Sequence, residues 1–554
     1  MASRLPLTLR LAGVRFMSAG GEFGSGAGKG GGAGGSVSQR PEASMDSKQF
    51  REVGKQMIDY IADYHDNIRQ RSVKHNVSPG YLLPLLPDSA PEDPERWEDI
   101  FKDIEKVIMP GVMHWRSPRF HGYFAVGGSY PSILGDMLGD AIGCIGFSWA
   151  SGPACTELEM VTTDWLGKMM GLPEHFLHSH SGLGGGVIQT TASETVLLCV
   201  LAARNRMVAR MKETDPDMNH HSVISRFVCY SSDQANSSVH RSGLLADVRM
   251  RKLQSDDNFS LRGETLRKAI EEDKAKGLIP FFICATLGTT GCCAFDSIKE
   301  IGPLCEKEGI WLHIDAAYAG SAFVCPEYRE HLEGVEYAET FSTNPHKWML
   351  CNYDLSVMWI KNREYLVDAF NVDPFYLKHQ NEGRVPDFRH WQIPLGRRFR
   401  ALKLWFVLRC YGVKGIQQYI RTHVSLAEEL EALLVKDGRF EMHVPATMAL
   451  VCFRLKGTNK LSEMLHDHIM ARGDIYIIPD YARAQGKGVY FIRVAMVSEY
   501  MTSDDIEVTF RAIQRSADCV QERYADLLQT EKNGVKDDYM PLINNDACPA
   551  DFKK

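Results

Sequence analysis

Lys347 occupies a position where a solvated charge is poorly placed. It follows His346 and precedes Trp348 and Met349 in the run FSTNPHKWML. Lysine is among the residues least often buried without a partner, and a desolvated lysine loses proton affinity and condenses with carbonyls as a nucleophile. The run therefore predicts a reactive amine. The alternative is a lysine whose head group reaches solvent from the edge of a buried strand.

Asp315 lies at the end of an apolar run upstream of this lysine. The segment IWLHIDAAYAGSA, residues 310–322, is typical of a buried strand followed by small residues that let a ligand approach the backbone. A strand-end carboxylate and a buried lysine together suit pyridoxal phosphate (PLP). The lysine holds the aldehyde as a Schiff base, and the carboxylate keeps the pyridine nitrogen protonated. The pair predicts PLP as the cofactor.

Composition removes several classes of function. The chain has 554 residues, is 44% hydrophobic and 24% charged, and carries a formal net charge of −7, which is typical of a globular protein and gives no basic footprint for nucleic acid. Its 14 cysteines are scattered without a CxxC pair, as expected for reduced thiols rather than a disulfide framework or a metal site. Since no apolar run reaches the roughly 18 residues of a membrane span, we expect a soluble protein that binds no membrane.

Residues 1–44 differ in composition from the rest of the chain. No acidic residue precedes Glu22, and arginines punctuate a leucine-rich stretch, as in a mitochondrial transit segment. Residues 20–36 are mostly glycine, which is typical of a flexible linker. We predict a cytoplasmic protein with a disordered extension before a second plausible start at Met45. Mitochondrial targeting is the alternative.

Apolar spacing predicts an α/β chain of two domains behind a helical segment. A helical stripe from Phe50 to Tyr64 predicts a helix that packs on a second subunit. Residues 223–322 alternate strand-like and helical runs, which favours a mainly parallel sheet that binds ligands at the carboxyl ends of its strands. The predicted parts are 1–44 (extension), 45–125 (helical dimerisation segment), 126–434 (large α/β domain), 435–530 (small α/β domain) and 531–554 (flexible tail).

A glycine run leads into a helix start at Thr191. The segment HSHSGLGGGVIQTTASE, residues 178–194, ends in Thr191-Ala-Ser-Glu194, a capping box of the S/T-x-x-E type. Free backbone N–H groups at such a helix start, with the hydroxyls beside them, predict a phosphate site. The glycine spacing matches neither the dinucleotide-binding nor the P-loop motif.

Two later regions complete the prediction. The segment DPFYLKHQNEGRVPD, residues 373–387, is polar and has no clear period, which is typical of a lid or a disordered loop. In the small domain, apolar alternation predicts strands over Ala449–Arg454, Asp474–Ile478 and Val489–Val497.

Five motifs are spread across the chain. They are NPHKW around Lys347, LHIDAAYAG around Asp315, IGFSWASGPACTELEM at 145–160, SSDQANSS at 231–238 and DFRHWQIPLGRRFRALK at 387–403. Together they resemble the aromatic-L-amino-acid decarboxylase family, the group II PLP-dependent decarboxylases, from about Met45 to about Gln529. The resemblance implies the PLP-dependent transferase fold type I, with a mainly parallel seven-stranded sheet. It also implies a homodimer with active sites at the subunit interface and an aromatic amino acid as substrate.

The resemblance also implies a role for each matching residue. Lys347 would hold PLP covalently and Asp315 would pair with its pyridine nitrogen. Tyr376 would act as a catalytic acid, with Asn236 and His346 as further catalytic residues. Further cofactor contacts would come from Thr191, Ala192, Asn236, Thr290, Asn344 and His346. The substrate pocket would be shaped by Trp115, Tyr123 and Phe124, with Ile145 and Phe147 contributed by the other subunit.

Asn236 distinguishes two possible products. Decarboxylating members carry histidine at this place, whereas the insect branch that resembles 3,4-dihydroxyphenylacetaldehyde synthase carries asparagine. An imidazole titrates near neutrality and can pass a proton, whereas an amide cannot, and slow protonation leaves an electron-rich intermediate open to O2. The resemblance therefore implies an aromatic aldehyde synthase of catecholamine metabolism and the insect cuticle. It would convert L-dopa and O2 to 3,4-dihydroxyphenylacetaldehyde, CO2, ammonia and hydrogen peroxide.

Other functions remain open. Asn236 is a tolerated substitution if the enzyme is a decarboxylase that makes dopamine or another aromatic amine, and a phenylacetaldehyde synthase acting on phenylalanine is a further alternative. Ala125-Val126 stands where family members carry Pro-Thr, which removes a hydroxyl that could bind the substrate carboxylate. Thr190-Thr191 replaces the commoner Gly-Ser and restricts the backbone. An inactive binding module and a dinucleotide-dependent oxidoreductase are disfavoured by the intact lysine and aspartate and by the missing glycine fingerprint.

Overall fold

The computed structural model describes residues 45–124, 126–484 and 487–532. The extension predicted for residues 1–44 and most of the tail predicted for 531–554 lie outside these ranges, so their roles and the cellular location stay predictions. In the described ranges, no helix combines the length and the apolar character that a bilayer crossing requires.

The helices and strands are numbered along the chain. The helices are α1 (Ser47–Asp66), α2 (Trp97–Asp103), α3 (Tyr130–Ile142), α4 (Pro153–Met170), α5 (Ala192–Thr214), α6 (His220–Ile224), α7 (Ser237–Leu245), α8 (Gly263–Ala275), α9 (Ile298–Glu308), α10 (Pro345–Trp348), α11 (Glu364–Phe370), α12 (Ala401–Asp437), α13 (Asn459–Arg472) and α14 (Ser503–Lys532). The strands are β1 (Gly185–Gln189), β2 (Phe227–Ser232), β3 (Arg249–Leu253), β4 (Ile279–Thr286), β5 (Trp311–Asp315), β6 (Thr340–Thr343), β7 (Ser356–Ile360), β8 (Phe440–Thr447), β9 (Leu450–Leu455), β10 (Ile478–Ala484) and β11 (Lys487–Ala495).

Seven strands form a mainly parallel sheet in the order β1-β7-β6-β5-β4-β2-β3. Strands β2 to β6 run parallel to one another, whereas β7 is antiparallel to both β6 and β1. The carboxyl ends of β2 to β6 therefore lie along one edge, where ligands bind in open α/β sheets. The predicted α/β class with a seven-stranded, mainly parallel sheet is confirmed.

Strand β4 shows that both faces of this sheet are covered. Phe282 and Cys284 belong to the core that contains Val196 of α5. Ile283 and Ala285 belong to the core on the other face. Strands buried on both faces are continuous apolar runs rather than alternating ones, which is why an apolar run, and not an alternation, marks β4 in the sequence.

A second, four-stranded antiparallel sheet has the order β10-β11-β9-β8. The strands predicted at 449–454 and 489–497 correspond to β9 and β11, but the strand predicted over Asp474–Ile478 is wrong, because β10 begins at Ile478. Tyr476 instead forms an isolated bridge with Phe120. Its carbonyl oxygen accepts a hydrogen bond from the His121 N–H at 2.7 Å. The apolar run before β10 therefore pairs with the segment around Phe120 and not with a strand of this sheet.

The later turns of helix α1 contact residues of their own chain. The Tyr60 hydroxyl donates to Glu105 at 2.7 Å, and Tyr64 hydrogen-bonds the His114 ring at 2.9 Å. The later turns of this helix therefore contact their own chain, and its packing on a second subunit stays a prediction. In its earlier turns Phe50 remains 65% exposed.

A buried ion pair fixes the end of β1, which leads into helix α5. The side chains of Arg397 and Glu159 are 2% and 4% exposed and are hydrogen-bonded to each other. Glu159 also accepts from the Ile188 N–H at 2.7 Å, and Arg397 donates to the Ile188 carbonyl oxygen at 3.2 Å. The pair thus holds both backbone groups of one residue of β1, the strand that leads into α5.

We predict that Arg397→Met destabilises the chain much more than Arg398→Met. The first change leaves Glu159 buried without its cation, which costs about 3–5 kcal/mol. The second breaks an ion pair with Asp140 whose side chains are 48% and 65% exposed, which is worth less than about 1 kcal/mol. Urea unfolding of the two variants measures both losses. Equal losses would show that the buried pair does not hold β1.

Candidate active site

Two cavities meet at the carboxyl edge of the large sheet. The inner cavity, of about 230 Å³, lies beside Thr286 at the end of β4 and Asp315 at the end of β5. The aromatic cavity, of about 620 Å³, adjoins it. The residues that line both are Phe124, Asn236, Thr290, His346 and Lys347. The fold thus brings together side chains from segments that lie far apart in the chain.

Lys347 lies where the two cavities meet. Desolvation lowers the pKa of its ammonium group, nearby Asp315 raises that pKa, and Arg493 lowers it. Burial raises the pKa of Asp315, whereas Lys347 and a 3.0 Å hydrogen bond from the Ala317 N–H lower it. The lysine is therefore closer to its neutral, nucleophilic form than a solvated lysine, while the aspartate keeps groups that favour its charge.

His346 is held neutral beside this lysine. Its Nδ1 accepts a hydrogen bond from the Leu355 N–H at 2.9 Å. Desolvation, followed by the nearby positive charge of Lys347, lowers the pKa of His346 to about 3. With Nδ1 accepting, the proton of the neutral ring lies on Nε2. His346 therefore offers the cavities an uncharged imidazole.

A glycine keeps the aromatic segment against the lysine. The Gly127 N–H donates to the His346 carbonyl oxygen at 2.8 Å. A Cβ at Gly127 would lie 2.8 Å from the carbonyl oxygen of Lys347. This close approach holds Phe124 near the amine, since the Lys347 Nζ lies 5.6 Å from the centroid of that ring.

The start of α5 forms one wall of the inner cavity. Thr191 is the N-cap, and its hydroxyl accepts from the Glu194 N–H at 3.3 Å. The predicted reciprocal bond of a capping box is absent in this described segment, because the Glu194 carboxylate binds the N–H and hydroxyl of Thr190 instead. Ala192 and Ser193 line the cavity, so the first N–H groups of a long helix lie at its wall, where an anion is favoured.

Asn236 is fixed at both ends of its amide. Its oxygen accepts from the Ser238 N–H at 3.0 Å and so caps helix α7. Its NH2 group donates to the Thr290 hydroxyl at 3.0 Å. The side chain therefore faces both cavities in one orientation, without a group that titrates.

Stacked rings form the wall of the aromatic cavity. Trp115 stacks on Tyr123 with ring centroids 5.2 Å apart, and Phe124 stacks on Tyr318 at 3.6 Å. Sequence reasoning missed several further lining residues. In the aromatic cavity they are Tyr353, Ile478 and Arg493, and in the inner cavity they are Ser193, Ser238, Thr286, Gly288, Ala317 and Tyr318. Arg493 stands in the apolar run YFIRVA, the same pattern that identified Lys347.

Three predicted site residues do not reach the two cavities. Ile145 is 58% exposed and lines a separate cavity beside residues 392–400. Phe147 lines neither the inner nor the aromatic cavity. Tyr376 is 77% exposed on the predicted lid segment. The described residues contain no group of three or more side chains placed to hold a metal ion.

A match to a protein-family model identifies the family of this chain. The model named "Pyridoxal-dependent decarboxylase conserved domain" matches residues 79–456. This chain belongs to that family. The match includes the inner cavity and most of the aromatic cavity, and the resemblance inferred from the five motifs is confirmed. The enzyme is a PLP-dependent decarboxylase.

Known proteins are similar to this decarboxylase in sequence and fold over most of its length. It is 54% identical over 478 residues to the aromatic-L-amino-acid decarboxylase of Mus musculus, which covers 86% of this chain and 99% of that protein. Oryza sativa TDC, solved with PLP and tryptamine, has a TM-score of 0.81 and 32% identity, with 85% and 98% of the chains covered. Rhodiola rosea 4-hydroxyphenylacetaldehyde synthase has a TM-score of 0.78 and 35% identity, with 86% and 99% covered.

The inner cavity of the decarboxylase fits PLP. Two buried polar atoms there, the Thr286 hydroxyl oxygen and the Asn344 amide oxygen, have no hydrogen-bond partner in the described structure, as expected where a polar ligand completes the bonding. The residues that would hold the cofactor are Lys347 at its aldehyde, Asp315 at its ring nitrogen, Thr290 and Asn236 beside the ring, and Thr191, Ala192, Asn344 and His346 at the phosphate.

We predict that Asp315→Asn shifts PLP attachment to lower pH. The carboxylate stabilises the ammonium form of Lys347, so its removal lowers the pKa of that lysine further and yields the reactive free amine at lower pH. The rate of attachment to the apo-protein, followed by absorbance across a pH series, gives the midpoint.

Asp296→Asn is the matched control. Asp296 is also a buried carboxylate, but it accepts from the backbone N–H groups of Leu261 and Thr286 and does not line the inner cavity. Its variant is expected to keep the wild-type midpoint. A midpoint that stays constant or rises in Asp315→Asn would contradict the coupling between the two groups.

Proposed function

We propose that this enzyme decarboxylates aromatic L-amino acids and releases the aromatic amine. The observation that carries the proposal is the cavity that opens directly onto Lys347 and is walled by Phe124 and by Trp115 stacked on Tyr123. Such a cavity suits a flat, apolar side chain. The mouse relative, 54% identical, bears the name of this activity.

Each residue of the inner cavity has a separate task in this proposal. When bound, PLP supplies an electron-withdrawing pyridinium ring that stabilises negative charge at the amino acid α-carbon. Asp315 holds the proton on the ring nitrogen, and Lys347 supplies the amine that bonds the aldehyde. His346 is neutral and adds no charge beside Lys347. Asp315 is therefore the charged group that would pair with the ring nitrogen.

Tyr376 is proposed as the acid that protonates the α-carbon. In the described structure its hydroxyl is exposed and lies outside both cavities, on the segment 373–387. The proposal therefore requires this segment to move over the aromatic cavity, as lids do when they exclude water from an active site. The movement would bring the phenol of Tyr376 to this cavity as a proton donor.

A homodimer is proposed to complete the aromatic cavity. Helix α3 and the loop after it expose apolar side chains, an arrangement that marks an interaction surface. These side chains are Leu134, Met137, Leu138, Ile142 and Ile145. A second copy covering this face would receive Ile145 and Phe147 at its aromatic cavity, which is where the motif resemblance places them.

Asn236 favours a second candidate function, an aromatic aldehyde synthase. The amide beside Lys347 cannot give or take a proton near neutral pH, so it cannot hasten protonation of the α-carbon. The overall reaction would be amino acid + O2 + H2O → aldehyde + CO2 + NH3 + H2O2, with L-dopa giving 3,4-dihydroxyphenylacetaldehyde. One neighbour of similar fold, 35% identical, is named 4-hydroxyphenylacetaldehyde synthase, which supports this candidate less closely than the mouse relative supports the first.

We predict that the ratio of products follows the side chain at position 236. L-Dopa turnover is measured as amine, aldehyde, ammonia and hydrogen peroxide released per CO2. If the aldehyde forms, Asn236→His restores a proton-passing group and is expected to lower peroxide per CO2 at least tenfold, with amine in its place.

Asn236→Gln is the matched control, because it keeps an amide and adds no titrating group. It is expected to keep the wild-type ratio. Amine without peroxide from the wild-type enzyme would reject the aldehyde candidate and support the decarboxylase. No CO2 release from any aromatic amino acid would reject both.

A further inference from the structure

Arg493 is a buried cation that the cofactor chemistry leaves unused. It lies on β11, is 1% exposed and lines the aromatic cavity. Its Nε donates to the Gly291 carbonyl oxygen at 2.8 Å, whereas its Nη2 is buried without a hydrogen-bond partner. In the described part of the chain no acidic side chain forms an ion pair with it. A buried charge without a partner is costly, so a ligand anion is the expected partner.

The surroundings of Arg493 are positive and apolar. Its guanidinium carbon lies 5.1 Å from the Phe124 ring centroid, and the Lys347 Nζ lies 5.6 Å from the same centroid. The described residues that line the aromatic cavity include no acid. His346 stays neutral because burial lowers its pKa to about 3. The anion that belongs here must therefore lie near the amine and beside an aromatic ring.

The cofactor phosphate does not meet this description. The phosphate wall proposed above is the start of α5 with Asn344, in the inner cavity, and Arg493 does not line that cavity. An aromatic L-amino acid does meet it, because its α-carboxylate is two bonds from the amine nitrogen that replaces Lys347 at the cofactor. The cations among the described residues that line this cavity are Lys347, whose place the substrate amine takes, and Arg493. The guanidinium is therefore the remaining positive charge for that carboxylate.

We propose that Arg493 binds the α-carboxylate of the amino acid substrate through its free Nη2. The proposal rests on the proposed decarboxylation and deepens it. A guanidinium matches a carboxylate with two parallel N–H donors and so fixes the rotation of the bond to be broken. The contact is made with the charged substrate and lost with neutral CO2. It therefore contributes mainly to substrate binding and raises KM when removed, with a smaller effect on kcat.

The test separates the carboxylate from the rest of the ligand. Two compounds that share a 4-hydroxyphenyl ring are used, 3-(4-hydroxyphenyl)propionate, which has the carboxylate and no amine, and tyramine, which has the amine and no carboxylate. Calorimetric titration of the PLP-loaded enzyme measures both affinities. Arg493→Gln is expected to weaken the propionate about 10- to 100-fold, the range for a hydrogen bond to a charged group, and tyramine less than about twofold.

Two further variants complete the design. Arg493→Lys keeps the charge without the paired donors and is expected to recover part of the propionate affinity. It also provides the answer if the glutamine variant does not fold. Arg454→Gln changes an arginine on the adjacent strand β9 that pairs with Glu441 and is expected to leave both affinities unchanged. The KM for the amino acid should rise at least tenfold in Arg493→Gln.

The outcomes distinguish this proposal from the proposed function. Equal weakening of both ligands in the Arg493 variants would show a structural role and overturn the proposal, as would an unchanged propionate affinity. In either case tyramine binding to the wild-type enzyme would leave the decarboxylase function standing. If the wild-type enzyme binds neither ligand and does not attach PLP, the proposed function fails and this proposal fails with it.

Discussion

The burial of an amine and a carboxylate at one edge of the large sheet is the constraint on which the rest of this structure depends. Asp315 is placed there by the end of β5, and Lys347 by the short helix α10 that follows β6. Desolvation raises the pKa of Asp315 and lowers the pKa of Lys347, which favours the neutral form of each, and the attraction between their opposite charges opposes both shifts. The amine is thus kept reactive, while the aspartate remains able to hold a proton on a ring nitrogen.

The residues around this pair divide the site by charge. The start of α5 forms one wall of the inner cavity, where its backbone N–H groups favour an anion such as the cofactor phosphate. Arg493 lines the aromatic cavity, which is the proposed substrate site. His346 and Asn236 line both cavities and are uncharged. In this proposal the cofactor phosphate contacts the start of α5, and the substrate carboxylate contacts Arg493. The neutral His346 and Asn236 leave proton delivery to a group from outside the two cavities, which is the task proposed for Tyr376.

Sequence patterns predicted the parts of the site that depend on local rules. Lys347 and Asp315 were identified because each interrupts or ends an apolar run, and the strands buried on both faces were found for the same reason. Arg493 also interrupts an apolar run, but it was missed because alternate side chains of an antiparallel strand can point to solvent, and the run does not show which face the arginine takes. Tyr476 belongs to an apolar run that pairs with residues more than 350 positions away, and no local period encodes that contact. The bond of Glu194 to Thr190 likewise depends on how the turn closes.

Borohydride reduction of the PLP-loaded enzyme, followed by mass spectrometry of its peptides, tests the central claim most directly. Lys403 is the internal comparison, because its side chain is 0% exposed but pairs with Asp136 at 3.4 Å and lines neither the inner nor the aromatic cavity. The structure predicts one reduced PLP on Lys347 and none on Lys403. A label on another lysine, or PLP-dependent turnover by an enzyme whose Lys347 has been replaced by Ala, would contradict the account.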